Sequence, residues 1–223
     1  MKLYYAPASS YSQRVLIALN EKQIKFTPIE VNLFDIKARE AYSQINPFAK
    51  IPTLITDEET VIFEANLIIE YLDQTFPHTS RLIPENSQQA IEVRLLERII
   101  DVYINTGREA LFADKQRPEA ERNGKEIVKP KRLLETALLL LEQKLTNRIW
   151  LAGDEFSLAD CAAAPTLTYL RMVYDYTYLP NLTNYVRDLE CRASVAKVFT
   201  CGREQMTQML SKLQYPLQLV SAR

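Results

Sequence analysis

One histidine and three cysteines among 223 residues leave little room for several kinds of chemistry. A Ser-His-Asp or Cys-His mechanism would rest entirely on His78, in the loop Pro77-His78-Thr79-Ser80, and no pattern around it suggests the geometry by which such a triad is recognised. Cys161, Cys191 and Cys201 are odd in number and scattered, which argues against a disulfide framework and a zinc site and suits a reducing compartment. Neither sign of charge is in excess: 27 basic against 28 acidic residues give a formal net charge of −1. Nucleic acid and anionic membranes both call for a basic surplus, so neither is an expected partner. No stretch reaches the length of a membrane span, and Met1-Lys2 runs straight into Leu3-Tyr4-Tyr5 without an apolar run of signal-peptide length. A cytoplasmic address is therefore the expectation.

What is present is ordinary globular material, 47% hydrophobic and 25% charged. The length exceeds the usual single domain and accommodates two. Lys2 to Ala6 reads as a strand stopped by Pro7. Ala8-Ser9-Ser10-Tyr11-Ser12 is turn material, with Ser10 or Ser12 an N-cap for a helix whose apolar face is Val15, Leu16, Ala18 and Leu19. A second strand over Phe26–Leu33 completes a βαβ unit. Phe34 to Ile45 reads as a short irregular helix. Thr53-Leu54-Ile55 and Thr60-Val61-Ile62-Phe63, joined by the acidic turn Asp57-Glu58-Glu59, form a hairpin. Leu67, Ile68, Tyr71 and Leu72 then stripe a helix that ends near Phe76-Pro77. This is the element order of a thioredoxin-like domain over 1–77. Residues 78–87 read as a linker, and 88–223 as an all-α domain with helices at about 88–112, 119–146, from Ser157, 181–191 and 194–212. Ser157, followed at the third helical position by Asp160, makes a capping box.

The segment Asn46-Pro47-Phe48-Ala49-Lys50-Ile51-Pro52-Thr53-Leu54 organises the first half, a loop that enters a strand through Pro52. A trans bond is the common fate of an Ile-Pro pair; a cis bond would turn the Ile51 backbone out of the sheet as an edge for an extended peptide.

This loop, the serine-rich turn before it and Phe63-Glu64-Ala65-Asn66 after it resemble the glutathione-binding half of the cytosolic glutathione transferases. The segment Trp150 to Asp160, then Pro180-Asn181-Leu182 and Arg192-Ala193-Ser194-Val195, resembles their helical half. The resemblance implies a thioredoxin-like domain followed by an all-α domain, and activation of glutathione thiolate for attack on a small electrophile. It implies glutathione as co-substrate with no other cofactor and no metal, and a homodimer.

Residue by residue, it assigns the Ile51 backbone beside Pro52 to the cysteinyl unit and Glu64 to the γ-glutamyl ammonium. The helix-start N–H groups, notably that of Ala65, go to the γ-glutamyl carboxylate. Lys50 goes to the glycyl carboxylate, with Arg39 a weaker second. Most members carry serine where Ala65 stands, and its loss predicts weaker glutathione binding by about 1 kcal/mol or more unless Asn66 substitutes.

A free cysteine thiol titrates near 8.5, and lowering that value by two units would stabilise the thiolate by roughly 2.7 kcal/mol. The donor comes from the first turn, with Arg14 one turn further on. Alignment on Arg14-Val15, as in zeta- and phi-like members, places the catalytic serine at Ser9. Alignment from the N-terminus, as in theta- and beta-like members, places it at Ser10, which is preferred here, with Ser9 next and Tyr11 third. A zeta-like isomerisation of a maleyl compound is an alternative, although the zeta-type cysteine and tryptophan are replaced by Tyr11 and Gln13. A non-catalytic binding or regulatory protein on the same scaffold is another. Tyr103, Arg108 and Phe112 are candidates for the second-substrate wall, and the apolar tail Gln214 to Val220 is expected to fold over that pocket.

Overall fold

A computed structural model describes residues 1–220. The N-terminal half is a four-stranded mixed sheet in the order β2-β1-β3-β4, from β1 (Lys2–Tyr5), β2 (Thr27–Glu30), β3 (Thr53–Ile55) and β4 (Val61–Phe63). β1 pairs parallel to β2 (Leu3 opposite Pro28) and antiparallel to β3 (Leu3 opposite Leu54), and β3 pairs antiparallel to β4. β2 is an edge strand, where a proline removes no needed ladder donor. It is shorter than the expected Phe26–Leu33, although the Val31 N–H still bonds to the Tyr5 carbonyl at 2.8 Å. Three helices complete this half: α1 (Ser10–Glu21), α2 (Ile36–Ser43), which Asp35 caps, and α3 (Ala65–Thr75).

The second half is helical throughout: α4 (Ser87–Ile99), a π-helical segment (Ile100–Asn105), α5 (Thr106–Lys115), α6 (Gly124–Lys144), α7 (Leu158–Leu170), α8 (Pro180–Cys191) and α9 (Ala193–Ser211), with short 3₁₀ turns between some of them. The single helix expected at about 88–112 is thus one continuous rod with a widened turn in its middle, and the one expected from 119 starts only at Gly124. Every residue of α7 is buried, as a helix apolar all round requires. The expected capping box is formed: Asp160 accepts from the Ser157 N–H at 2.9 Å and hydroxyl at 2.7 Å, and from Tyr185 and the Leu151 N–H besides.

The segment between α3 and α4 is tied down. Asp73 accepts from the Leu82 and Ile83 N–H groups and pairs with the buried Lys22 ammonium at 2.8 Å. The helix α1 differs most from its sequence pattern. Instead of one apolar face, residues Ser12 to Leu19 are all buried, because α1 packs against α3 of its own half and against α7 and α9 of the helical half. Gln13 and Arg14, polar and fully buried, therefore lie at the junction of the two halves.

Candidate active site

Ser9 caps α1, its side-chain oxygen accepting the Ser12 N–H at 3.3 Å, and its own N–H bonds to the Ala6 carbonyl. The capping oxygen uses only a lone pair, and its hydrogen meets no acceptor among the described residues. Ser10 is the first helical residue and makes no side-chain hydrogen bond there. Ser12, further in, is buried and receives the Ala6 N–H.

On one side of this turn lies a cavity of about 350 Å³ lined by Tyr11, Asn46, Phe48, Lys50, Ile51, Pro52, Glu64, Ala65, Asp101 and Glu109. The Ile51–Pro52 peptide is cis. The loop before it is shaped by Asn46 and Tyr42, whose side chains both donate to the Lys50 carbonyl at 2.8 Å, leaving the Lys50 ammonium exposed. Glu64 stands just before α3 at φ 72°, a left-handed conformation that costs a non-glycine residue energy, and it and Ala65, the first residue of α3, line the cavity.

On the other side lies an apolar cavity of about 310 Å³, walled by Ser9, Ser10, Arg108, Glu109, Phe112 and Tyr169 together with Met172, Met206, Met209 and Leu213. Glu109 belongs to both walls, and the Ser9–Tyr11 turn divides between them, Tyr11 on the first and Ser9 and Ser10 on the second.

A buried polar network underlies the turn. Tyr11 donates to Asp101 at 2.8 Å and accepts from Asn105 at 3.0 Å. Arg14, entirely buried, donates to Asp101 at 3.0 Å and Thr166 at 3.1 Å and reaches Glu97 at 3.5 Å. Asn66 donates to the same Glu97 carboxylate at 2.5 Å. Burial pushes the Tyr11 phenol well above its ordinary range, with Asp101 adding to it and Arg14 opposing. Burial likewise raises Glu97, against the pull of Arg14.

Glu97, Asp101, Asn105 and Glu109 follow one another at intervals of four. In an α-helix of about 3.6 residues per turn such a series drifts round the axis. The wider turn of the π segment counters the drift; Asp101 and Glu109 line the first cavity, while Glu97 and Asn105 are buried. Tyr103, two residues from Asp101 and from Asn105, is carried to the opposite, exposed side.

Of the residues singled out in the sequence, Tyr11, Lys50, Ile51, Pro52, Glu64 and Ala65 meet on the first cavity, and Ser9, Ser10, Arg108 and Phe112 on the second. Arg39 is exposed on α2 and lines neither. Asn66 is turned to Glu97 and does not line the first cavity. Arg14 is spent on Asp101, Glu97 and Thr166 rather than facing the turn's serines. The tail also departs from expectation. Gln116 holds the Tyr215 backbone at both its N–H and its carbonyl, and Leu219 and Val220 then enter a separate groove beside Arg203 rather than covering the apolar cavity. The sequence marks Asp101, Asn105 and Glu109 only by their four-residue spacing, and Tyr169 by nothing local.

A cis-proline loop on a mixed sheet, with an all-α half packed against the first helix, defines a two-domain protein with a thioredoxin-like unit. The models of the glutathione S-transferase N-terminal and C-terminal domains match residues 3–80 and 99–191. A stringent starvation protein A homolog of Coxiella burnetii is 31% identical over 75% of this chain and 74% of its own. Glutathione S-transferase F6 of Arabidopsis thaliana is 28% identical over 89% of this chain and 98% of its own. Among solved structures, a glutathione S-transferase of Methylobacillus flagellatus with GSH bound superposes with a TM-score of 0.79 at 30% identity, covering 88% of this chain and 98% of that one. The chain belongs to the glutathione transferase family.

Proposed function

We propose that this protein is a glutathione-dependent transferase in which the Ser9 hydroxyl donates to the glutathione sulfur and the thiolate attacks an electrophile held in the apolar cavity. The observation that carries the reading is the placement of one turn between two cavities, with Tyr11 on the polar wall and Ser9 and Ser10 on the apolar one. An extended tripeptide in the first cavity would pair with the Ile51 backbone, meet Glu64 with its ammonium and Lys50 with its glycyl carboxylate, and set its γ-glutamyl carboxylate on the Ala65 N–H. Its sulfur then lies at the N-terminus of α1, where the helix dipole favours an anion. Ser9 is preferred to Ser10 because its oxygen is fixed by the Ser12 N–H while its hydrogen is free. On attack, a sulfur–carbon bond forms and the leaving group departs with its electron pair, or, in an addition, the adjacent carbon takes a proton.

The expected homodimer would form on α3 and α4. Leu67, Ile91 and Leu95 are each more than half exposed there, on either side of the Arg94–Glu70 ion pair that joins the two helices. Two exposed free cysteines, Cys191 and Cys201, suit a cytoplasmic setting. A second reading, ligand binding without turnover, has one observation in its favour: Ala65 brings no hydroxyl and Asn66 is committed to Glu97.

The test is the ultraviolet difference absorbance of bound glutathione thiolate against pH. Wild type should show a thiol pKa below the solution value, and Ser9→Ala should raise it by about one to two units. Tyr11→Phe should leave it in place, since that hydroxyl hydrogen belongs to Asp101. A rise in Ser10→Ala alone would transfer the role to Ser10. Glutathione that fails to bind, or binds with its solution pKa, would defeat the transferase reading.

A further inference from the structure

The apolar cavity contains a buried cation whose carboxylate neighbour on the lining, Glu109, is largely exposed to water. Methionine, leucine and phenylalanine side chains make up most of the wall, yet Arg108 projects into it with only 13% of its side chain exposed. Its Nε and one terminal nitrogen donate to the Asn105 side-chain amide oxygen Oδ1 at 3.1 and 2.8 Å, an uncharged acceptor. The Glu109 carboxylate lies 3.6 Å away but is 59% exposed, at the mouth, where water weakens the pairing. The other terminal nitrogen, Nη1, has no acceptor among the described residues. Burial accordingly pulls the guanidinium pKa down, against the opposing effect of Glu109.

A second donor stands on the same wall. The Tyr169 oxygen receives the Gln13 amide hydrogen at 2.7 Å, while its own hydrogen has no acceptor among the described residues. Burial pushes the Tyr169 phenol up to about 12, so it remains a donor at neutral pH. A buried guanidinium and a buried hydroxyl, both with hydrogens to give, match an anionic oxygen group, and a planar fork is best satisfied by a carboxylate. The polarizable methionines at Met172, Met206 and Met209 suit a flat unsaturated or aromatic body.

We propose that the second substrate is an electrophile with an unsaturated or aromatic body and a carboxylate, the carboxylate held by Arg108 and Tyr169 and the electrophilic carbon turned toward Ser9 and Ser10. This rests on the transferase reading for the reaction, but the carboxylate preference is a binding property that is measurable without turnover.

The experiment compares a chloronitrobenzoate, with chlorine ortho to the nitro group and para to the carboxylate, with the matching benzamide. In both, glutathione sulfur bonds to the ring carbon and chloride leaves with its electron pair. With each rate divided by its uncatalysed rate, wild type should favour the carboxylate by about tenfold to a hundredfold in kcat/KM, the worth of a hydrogen-bonded charge pair. Arg108→Met should collapse that ratio toward unity, and Arg108→Lys should keep part of it. In parallel, the unreactive nitrobenzoate and nitrobenzamide are titrated against the glutathione-free protein. Tighter binding of the benzoate, lost in Arg108→Met, supports the assignment even if glutathione is not activated and the transferase reading falls. Equal use and equal binding of acid and amide by wild type, or a ratio unmoved in Arg108→Met, overturns it.

Discussion

Replacing Arg14 by methionine removes the buried cation from a site holding two carboxylates and leaves Asp101 only the exposed Arg98, at 3.3 Å. The guanidinium is wholly buried, Glu97 has 3% of its side chain exposed and Asp101 18%, at 3.5 and 3.0 Å. Methionine fills much of the same volume, so the cost is chiefly electrostatic. Breaking a buried pair leaves uncompensated charge worth about 3–5 kcal/mol. The loss should depend on pH. Burial already raises Glu97 in the presence of Arg14, and without the guanidinium the rise is larger. A carboxylate raised in the folded state holds a proton that the unfolded chain, titrating near 4.3, has already released. Its contribution is therefore fully present below the unfolded value and is lost as pH climbs through the folded one. Arg14→Met should consequently lie closer to wild type at about pH 5 than at about pH 8. Urea unfolding followed by circular dichroism, at one fixed protein concentration, reads both gaps. A loss below about 1 kcal/mol, or one equal at the two pH values, would refute the account of Arg14 as a buried counter-ion.

Two further outcomes follow from the packing. A Cβ on Gly202 would lie 2.4 Å from the Pro7 carbonyl oxygen and 2.9 Å from Gln13 Nε2. Helix α9 would have to back away from the turn whose Ala8 N–H it holds through Gln205. Gly202→Ala should thus lose about 1–3 kcal/mol of stability and raise the thiol pKa of bound glutathione; unchanged values of both would remove α9 from any part in placing Ser9. Leu95→Glu should convert a dimer to a monomer in sedimentation, and a variant that keeps the wild-type mass would rule out the α3–α4 face as the interface.

Much of this protein is written locally. Pro52 at a strand mouth, the Ser9–Ser12 turn before an apolar run, the hairpin around Asp57-Glu58-Glu59 and the Ser157–Asp160 capping box are all preferences of adjacent residues, which the backbone honours wherever the segment lies. The strand and helix order, and with it the thioredoxin-like half and the helical half, follows from them. Other features depend on which element arrives on which side. The pattern of α1 shows one apolar face, yet α7 and α9 close over the other and make Gln13 and Arg14 interior residues. Nothing contiguous with Arg14 reveals that Glu97 and Asp101 will meet it 83 and 87 residues later. The π segment is a backbone choice with no local marker, and it carries Asp101, which lines the cleft, and the exposed Tyr103. The sequence encodes the conformations each segment prefers through short-range sterics and hydrogen bonding. The partners of a buried charge, and hence the chemistry at the turn, are decided by long-range packing, in which each side chain's surroundings belong to other parts of the chain.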